Sequence, residues 1–131
     1  MTRDELEALY RRYIASLNER RLDEAESFYW DELLYNGERM SRAEWRARAI
    51  EDSFAAMPDL QWSIEKLVIE KDFVAARLRD TATLTREWQG LRPTGRRATF
   101  GENVFYRFRE GRIDEVWSIA DVVALTSPDP G

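Results

Sequence analysis

The chain contains no cysteine and no histidine. The first absence removes disulfides, thiolate nucleophiles and cysteine metal ligands. The second removes the one side chain whose unperturbed pKa lies near neutrality. Together they exclude zinc sites built on either residue. Acid–base chemistry is left to carboxylates, tyrosines or a group polarised by arginine. Lysine is scarce as well, with two lysines against eighteen arginines. No apolar run approaches the roughly 18 residues that a membrane span needs. The start, Met1-Thr2-Arg3-Asp4-Glu5, lacks the basic and apolar regions of a signal peptide. A cytoplasmic protein without a membrane partner is therefore expected. The net charge is −5, with 25 acidic and 20 basic residues dispersed along the chain, a poor match to nucleic acid.

What is present suits one domain. The 131 residues are 44% hydrophobic and 34% charged, enough to form a core without staples. Thr2-Arg3-Asp4-Glu5 reads as a capping box. Leu6, Leu9, Tyr10, Tyr13, Ile14 and Leu17 then recur at helical spacing. A second short helix carries Leu22, Ala25, Phe28 and Tyr29 on its apolar face. Trp30 to Tyr35 reads as a short extended segment before the turn Asn36-Gly37. Ser41-Arg42-Ala43-Glu44 caps a third helix with Trp45, Ala49, Ile50, Phe54 and Met57 inward, and Pro58 stops it.

Four strands follow: Trp62–Glu70, Phe73–Leu84, Arg97–Arg109 and Arg112–Leu125. Between the second and third, Thr85–Arg96 is long for a hairpin connection and reads as a lid carrying Trp88. Helices followed by a meander of strands indicate an α+β fold. The expected architecture is a cone-shaped, curved antiparallel sheet packed against three N-terminal helices, enclosing one pocket. It occupies residues 1–125, and the polar tail 126–131, with two prolines, is expected to be disordered.

The run Gly90-Leu91-Arg92-Pro93-Thr94-Gly95-Arg96-Arg97 resembles the SnoaL-like polyketide cyclase family. So do Tyr13-Ile14-Ala15-Ser16-Leu17-Asn18, Arg107-Phe108-Arg109-Glu110-Gly111-Arg112-Ile113 and Glu115-Val116-Trp117-Ser118-Ile119-Ala120-Asp121. The resemblance implies the nuclear-transport-factor-2-like cone. It also implies a cofactor-free enzyme, without a metal, that deprotonates a carbon acid and stabilises the enolate for ring closure. The family's histidine and aspartate of the last strand fall on Val116 and Ser118, a second pocket histidine on Val104, and the pocket asparagine on Asn36. The usual proton-transfer side chains are thus replaced at three of those positions.

Strand alternation supplies other candidates. Val116, Ser118 and Ala120 share one face of the last strand, and Glu102, Val104 and Tyr106 the matching face of its neighbour. Glu102 on an apolar wall is the candidate base, raised by desolvation. Tyr106 is the candidate donor to an oxyanion. The contrary reading pairs Glu102 with Arg77 or Arg79 at the rim. Asp80, in mid-strand where aspartate is disfavoured, is the second catalytic candidate, and with Arg77 or Arg79 it would suit epoxide opening. Ser118 is the third, orienting a carbonyl or a water. Tyr29, Tyr35, Trp62 and Trp88, with Asn36, are candidates to line an apolar pocket for a small molecule. Arg92, Arg96 and Arg97 are a basic cluster on the loop, either solvated or recognising a carboxylate. Phe105, Trp117 and Ile119 would form an apolar outer face, for which a homodimer through the sheet is expected. Three functions remain: a cofactor-independent cyclase or isomerase acting on a polyketide- or terpenoid-like molecule, a non-catalytic small-molecule binding or dimerisation module, and an epoxide-opening hydrolase or cyclase.

Overall fold

The computed structural model describes residues 1–126. Helix α1, Arg3–Asn18, begins where Thr2 accepts a hydrogen bond from the Glu5 N–H. Its stripe of Leu6, Tyr10, Tyr13, Ile14 and Leu17 is buried, as amphipathic spacing requires. Helix α2 spans Leu22–Ser27. Strand β1, Tyr29–Tyr35, and strand β2, Glu38–Ser41, form a hairpin about Asn36-Gly37. Both turn residues have positive φ, 49° and 84°, a conformation open to asparagine and glycine.

Ser41 and Glu44 form a reciprocal capping box for α3, Arg42–Trp45. The helix continues through a π-helical stretch, Arg46–Glu51, into α4, Asp52–Ala56. A π turn widens the helix locally. Here it turns Arg48, Ala49, Ile50 and Ser53 together toward one cavity. Met57 ends the helix just before Pro58.

The remaining strands are β3 (Gln61–Glu70), β4 (Phe73–Thr83), β5 (Arg97–Arg109) and β6 (Arg112–Ala120). They form the expected antiparallel meander, and the whole sheet runs β2-β1-β6-β5-β4-β3. Register shifts near Glu65 in β3 and Asp114 in β6 add the local twist that bulges give, and the sheet curves around the helices. The buried faces of α1, α3 and the strands meet in one cluster centred on Tyr10, Tyr13, Tyr29, Trp45 and Tyr106. Among the described residues, no helix is long and apolar enough to cross a membrane.

Several expectations need correction. The sheet has six strands rather than four, because Trp30–Tyr35 pairs with Glu38–Ser41. The second leg of that hairpin is short and runs directly into a capping box. Strand β1 also pairs parallel with β6, so the sheet is antiparallel except at that junction. Tyr29 opens β1 instead of closing α2. Strand β6 stops at Ala120, not Leu125. The Asp121 N–H still bonds the Gly101 carbonyl at 2.9 Å, but the chain then coils into a 3₁₀ turn, Val122–Thr126. Leu125 is thereby buried against Leu84, Ala98 and Phe100. Of the tail expected to be disordered, Thr126 belongs to this turn and 127–131 lie outside the described residues.

Candidate active site

A cavity of about 470 Å³ opens between the concave face of the sheet and the helices. Its walls are mostly apolar, with Leu78, Phe100, Val104 and Val116 from the sheet and Trp45, Ala49 and Met57 from the helical side. The strand bulge at Asp114 precedes Val116, so the alternation Val116, Ser118, Ala120 toward the cavity is preserved. Glu102, Val104 and Tyr106 line it from β5. The odd-numbered neighbours point away, leaving Phe105, Trp117 and Ile119 exposed on the outer face.

Two carboxyl groups lie side by side on this wall. Leu78 pairs with Glu102, and Asp80 with Phe100, which makes Asp80 and Glu102 diagonal neighbours on one face. Asp80 is only 2% exposed. Burial first, then the hydrogen bond and charge of Glu102, push the Asp80 carboxyl up to about 10, against a smaller downward pull from Arg77. Like charges in a dry site do not both ionise. At neutral pH the pair therefore holds one proton on Asp80, donated toward Glu102. Oδ1 of Asp80 is left buried, with no hydrogen-bond partner among the described residues.

Glu102 is the acceptor of the group. The Ser118 hydroxyl donates to its Oε2 at 2.6 Å, and the Trp62 indole N–H donates to Oε1 at 3.3 Å. Both donors are held by asparagines from other parts of the chain. Asn18, at the end of α1, donates its amide to the Trp62 carbonyl and accepts the Trp62 N–H, each at 2.8 Å. Asn36, in the β1–β2 turn, accepts the Ser118 N–H at 2.7 Å and donates to the Ser118 carbonyl at 3.2 Å. The two clamps fix the backbones from which the Glu102 donors project.

Phenols make up the other polar wall. Tyr13 and Tyr29 share a hydrogen bond of 2.6 Å between their hydroxyls. Tyr106 packs against Tyr10 and Tyr13 with ring centroids 5.1 and 5.8 Å away. Burial pushes all four phenols up, so they stay neutral donors. Tyr35 reaches the Ser118 hydroxyl, and burial together with the Glu102 charge pushes it up to about 12.

The structure thus brings Glu102, Asp80, Ser118, Trp62, Tyr29, Tyr35, Asn36, Val104, Tyr106, Val116 and Trp88 to one cavity. It redistributes their parts. Ser118 spends its hydroxyl on Glu102, and Asn36 uses its amide on the Ser118 backbone. Neither Arg77 nor Arg79 meets Asp80 in the cavity. Both lie on the outer face, one residue out of phase with Asp80, so an Asp–Arg set for epoxide opening is absent from this wall. For the same reason the rim pairing of Glu102 with either arginine is not formed. The Arg77 guanidinium instead lies over Gly101, where a Cβ would collide with it. Trp88 sits at a tight turn with Leu91, its indole donating to Asp52 at 3.1 Å beside the Arg86–Asp52 ion pair. Arg92, Arg96 and Arg97 are exposed and away from the cavity, and Asp121 is exposed at the end of β6.

Trp45, which lines the cavity, and Asn18, which holds the Trp62 backbone, are residues that sequence reasoning did not single out for the site. Trp45 lies over Tyr29, with centroids 4.0 Å apart. Asn18 sits at the end of a helix, where a capping role hides its long reach to β3. Among the described residues no three carboxylates are placed to hold a metal ion.

The fold has counterparts in known proteins. The family model for SnoaL-like polyketide cyclases matches residues 7–127. A SnoaL-like polyketide cyclase from Agrobacterium tumefaciens is 36% identical, with a TM-score of 0.85 over 92% of this chain and 94% of that one. AclR from Streptomyces galilaeus, described as a proposed hydroxylase, is 27% identical, with a TM-score of 0.82 over 95% and 94% of the two chains. IdmH from Streptomyces antibioticus, a proposed polyketide cyclase, is 23% identical, with a TM-score of 0.80 over 92% and 94%, a likeness of fold alone. No curated protein matches the chain significantly.

Proposed function

Because the chain belongs to the SnoaL-like polyketide cyclase family, we propose that it is a cofactor-independent cyclase or isomerase acting on a polyketide- or terpenoid-like small molecule. The observation that carries this reading is the pair formed by buried Asp80 and half-buried Glu102 on the wall of an otherwise apolar cavity. Glu102 is the base that takes a proton from a carbon beside a carbonyl. Ser118 and Trp62 hold it in place, and both donors are oriented before substrate arrives. Asp80, carrying the proton of the pair, supports the carboxylate and returns a proton late in the cycle. Neutral tyrosine hydroxyls across the cavity stabilise the enolate oxygen. These groups stand in for the family residues replaced by Val104, Val116 and Ser118.

Glu102→Gln at unchanged fold tests the reading. Loss of turnover supports it. Retained turnover with ligand binding intact leaves a non-catalytic binding module instead. The apolar outer face of Phe73, Phe105, Trp117 and Ile119 supports a homodimer through the sheet, because exposed aromatic patches of this kind mark association surfaces.

A further inference from the structure

We propose that Arg77 is a positioning residue for the carboxyl pair, acting through the sheet. It lies behind Asp80 and Glu102, in a notch kept open by Gly101, and stabilises the single negative charge of the pair from the outer face. The inference rests on the catalytic reading for what that charge does, and on the sheet itself for where the arginine lies. It starts from a glycine in mid-strand. Gly101 is flanked by Phe100, the register partner of Asp80, and by Glu102. Glycine weakens a strand interior and often marks a close approach. Gly101 is not among the glycines with positive φ, so backbone freedom does not account for it. A Cβ at this position would collide with the Arg77 guanidinium, to which all three of its nearest atoms belong.

The arginine is steered into the notch. Arg77 is the register partner of Asn103 on β5, and its guanidinium donates to the Asn103 side chain at 3.2 Å. Glu65, the unpaired residue of the β3 bulge, meets its Nε at 3.7 Å. The side chain reaches from the level of Asn103 to Gly101. The cation therefore rests against the backbone that carries Glu102 on its other face. The remaining groups around the pair do not supply a positive charge to it. Tyr10 and Tyr13 of α1, Tyr35 of β1 and Tyr106 of β5 are kept neutral by burial. Arg48 and Glu38, at the cavity mouth, are bound to each other at 3.0 and 3.2 Å. On the outer face, Lys66 of β3, Arg79 of β4 and Asp121 at the end of β6 are exposed. The cation whose charge registers at Asp80 is Arg77. A carboxylate on an apolar wall must keep its charge to act as a base, and a fixed cation nearby favours the charged form. Arg77 does so without entering the cavity, which leaves the substrate space apolar.

Carbon-13 NMR of the Asp80 and Glu102 carboxyls in the whole protein reads this charge, as two macroscopic steps that belong to the pair. Arg77→Met removes the cation. Gly101→Ala keeps it but displaces it, and the fold should tolerate the change because the clash falls on the far end of a flexible side chain. Each step makes the pair more negative, so both variants should raise both midpoints, by about half a pH unit or more. The double variant should add nothing further, since both changes remove one interaction. Arg77→Lys, which keeps a charge on that face, should move the midpoints less than Arg77→Met. The acid limb of deuterium exchange into the α-carbon of 2-tetralone should move with them, and a limb that stays in place would overturn the positioning role. Midpoints unmoved by Arg77→Met, moved by Arg77→Met but not by Gly101→Ala, or moved equally by lysine would overturn the proposal as well. The two readings fail separately. Moved midpoints with Glu102→Gln fully active remove the catalytic assignment and leave the charge where Arg77 holds it. Unmoved midpoints with Glu102→Gln inactive remove this inference alone.

Discussion

Ser118 donates its hydroxyl to Glu102 at 2.6 Å, from the position onto which the sequence resemblance would put the family's acid–base residue. Ser118→Ala removes one charge-assisted bond, worth about 1.5–3 kcal/mol. Because the bond positions the base, turnover should fall by about tenfold or more while substrate KM changes little. A variant with unchanged turnover would show that Glu102 does not need this partner.

Asp80 gives stability a pH signature. Its pKa is about 10 in the folded protein, against an ordinary value of 3.8. Between those values the folded chain keeps a proton that the unfolded chain has lost. Stability contributed by this group is therefore complete below about pH 4 and eroded as pH rises toward the folded value. The slope is at most about 1.4 kcal/mol per pH unit. Asparagine does not titrate. Denaturation of Asp80→Asn should gain on the native protein steadily from pH 5 to 9, and parallel curves would contradict the shared proton.

Tyr13 and Tyr29 share a hydrogen bond on the buried side of the cavity. Removing either hydroxyl takes that partner from the other, at a cost of about 1–3 kcal/mol. Removing both leaves apolar neighbours in contact. Tyr13→Phe and Tyr29→Phe should each destabilise the fold, and the double variant should lose less than the sum. Additive losses in chemical denaturation would show that the hydroxyls do not depend on each other.

Ile119 is 78% exposed on the outer face, beside Trp117 and Phe105. Light scattering should find a dimer for the native chain and a monomer for Ile119→Arg, with the fold unchanged by circular dichroism. A native monomer would leave this face without the proposed partner.

Much of the fold was legible because its signals are local. The Ser41–Glu44 capping box and the apolar stripe of α1 each lie within a few residues of sequence. The inward face of β5 and β6 followed from alternation, since the bulge at Asp114 falls before the residues that matter. The β1–β2 hairpin was half hidden, because Glu38–Ser41 is short and doubles as the approach to a helix cap. Its parallel partnership with β6 joins residues about eighty positions apart, which no local pattern reports. The site divides the same way. Glu102, Asp80 and Ser118 were each visible as polar residues in apolar strands. That they form one connected group depends on the diagonal across β4 and β5 and on two asparagines that reach distant backbones. The arginines near Asp80 in sequence were misleading, since one step along a strand puts a side chain on the opposite face.

The central claim is that Glu102 abstracts a proton from carbon. The most direct measurement is deuterium exchange at the α-carbon of 2-tetralone in D₂O, followed by NMR, for native protein, Glu102→Gln and buffer alone. The account predicts acceleration by the native protein and the buffer rate for Glu102→Gln. Equal acceleration by both proteins, or none by the native one, would contradict it.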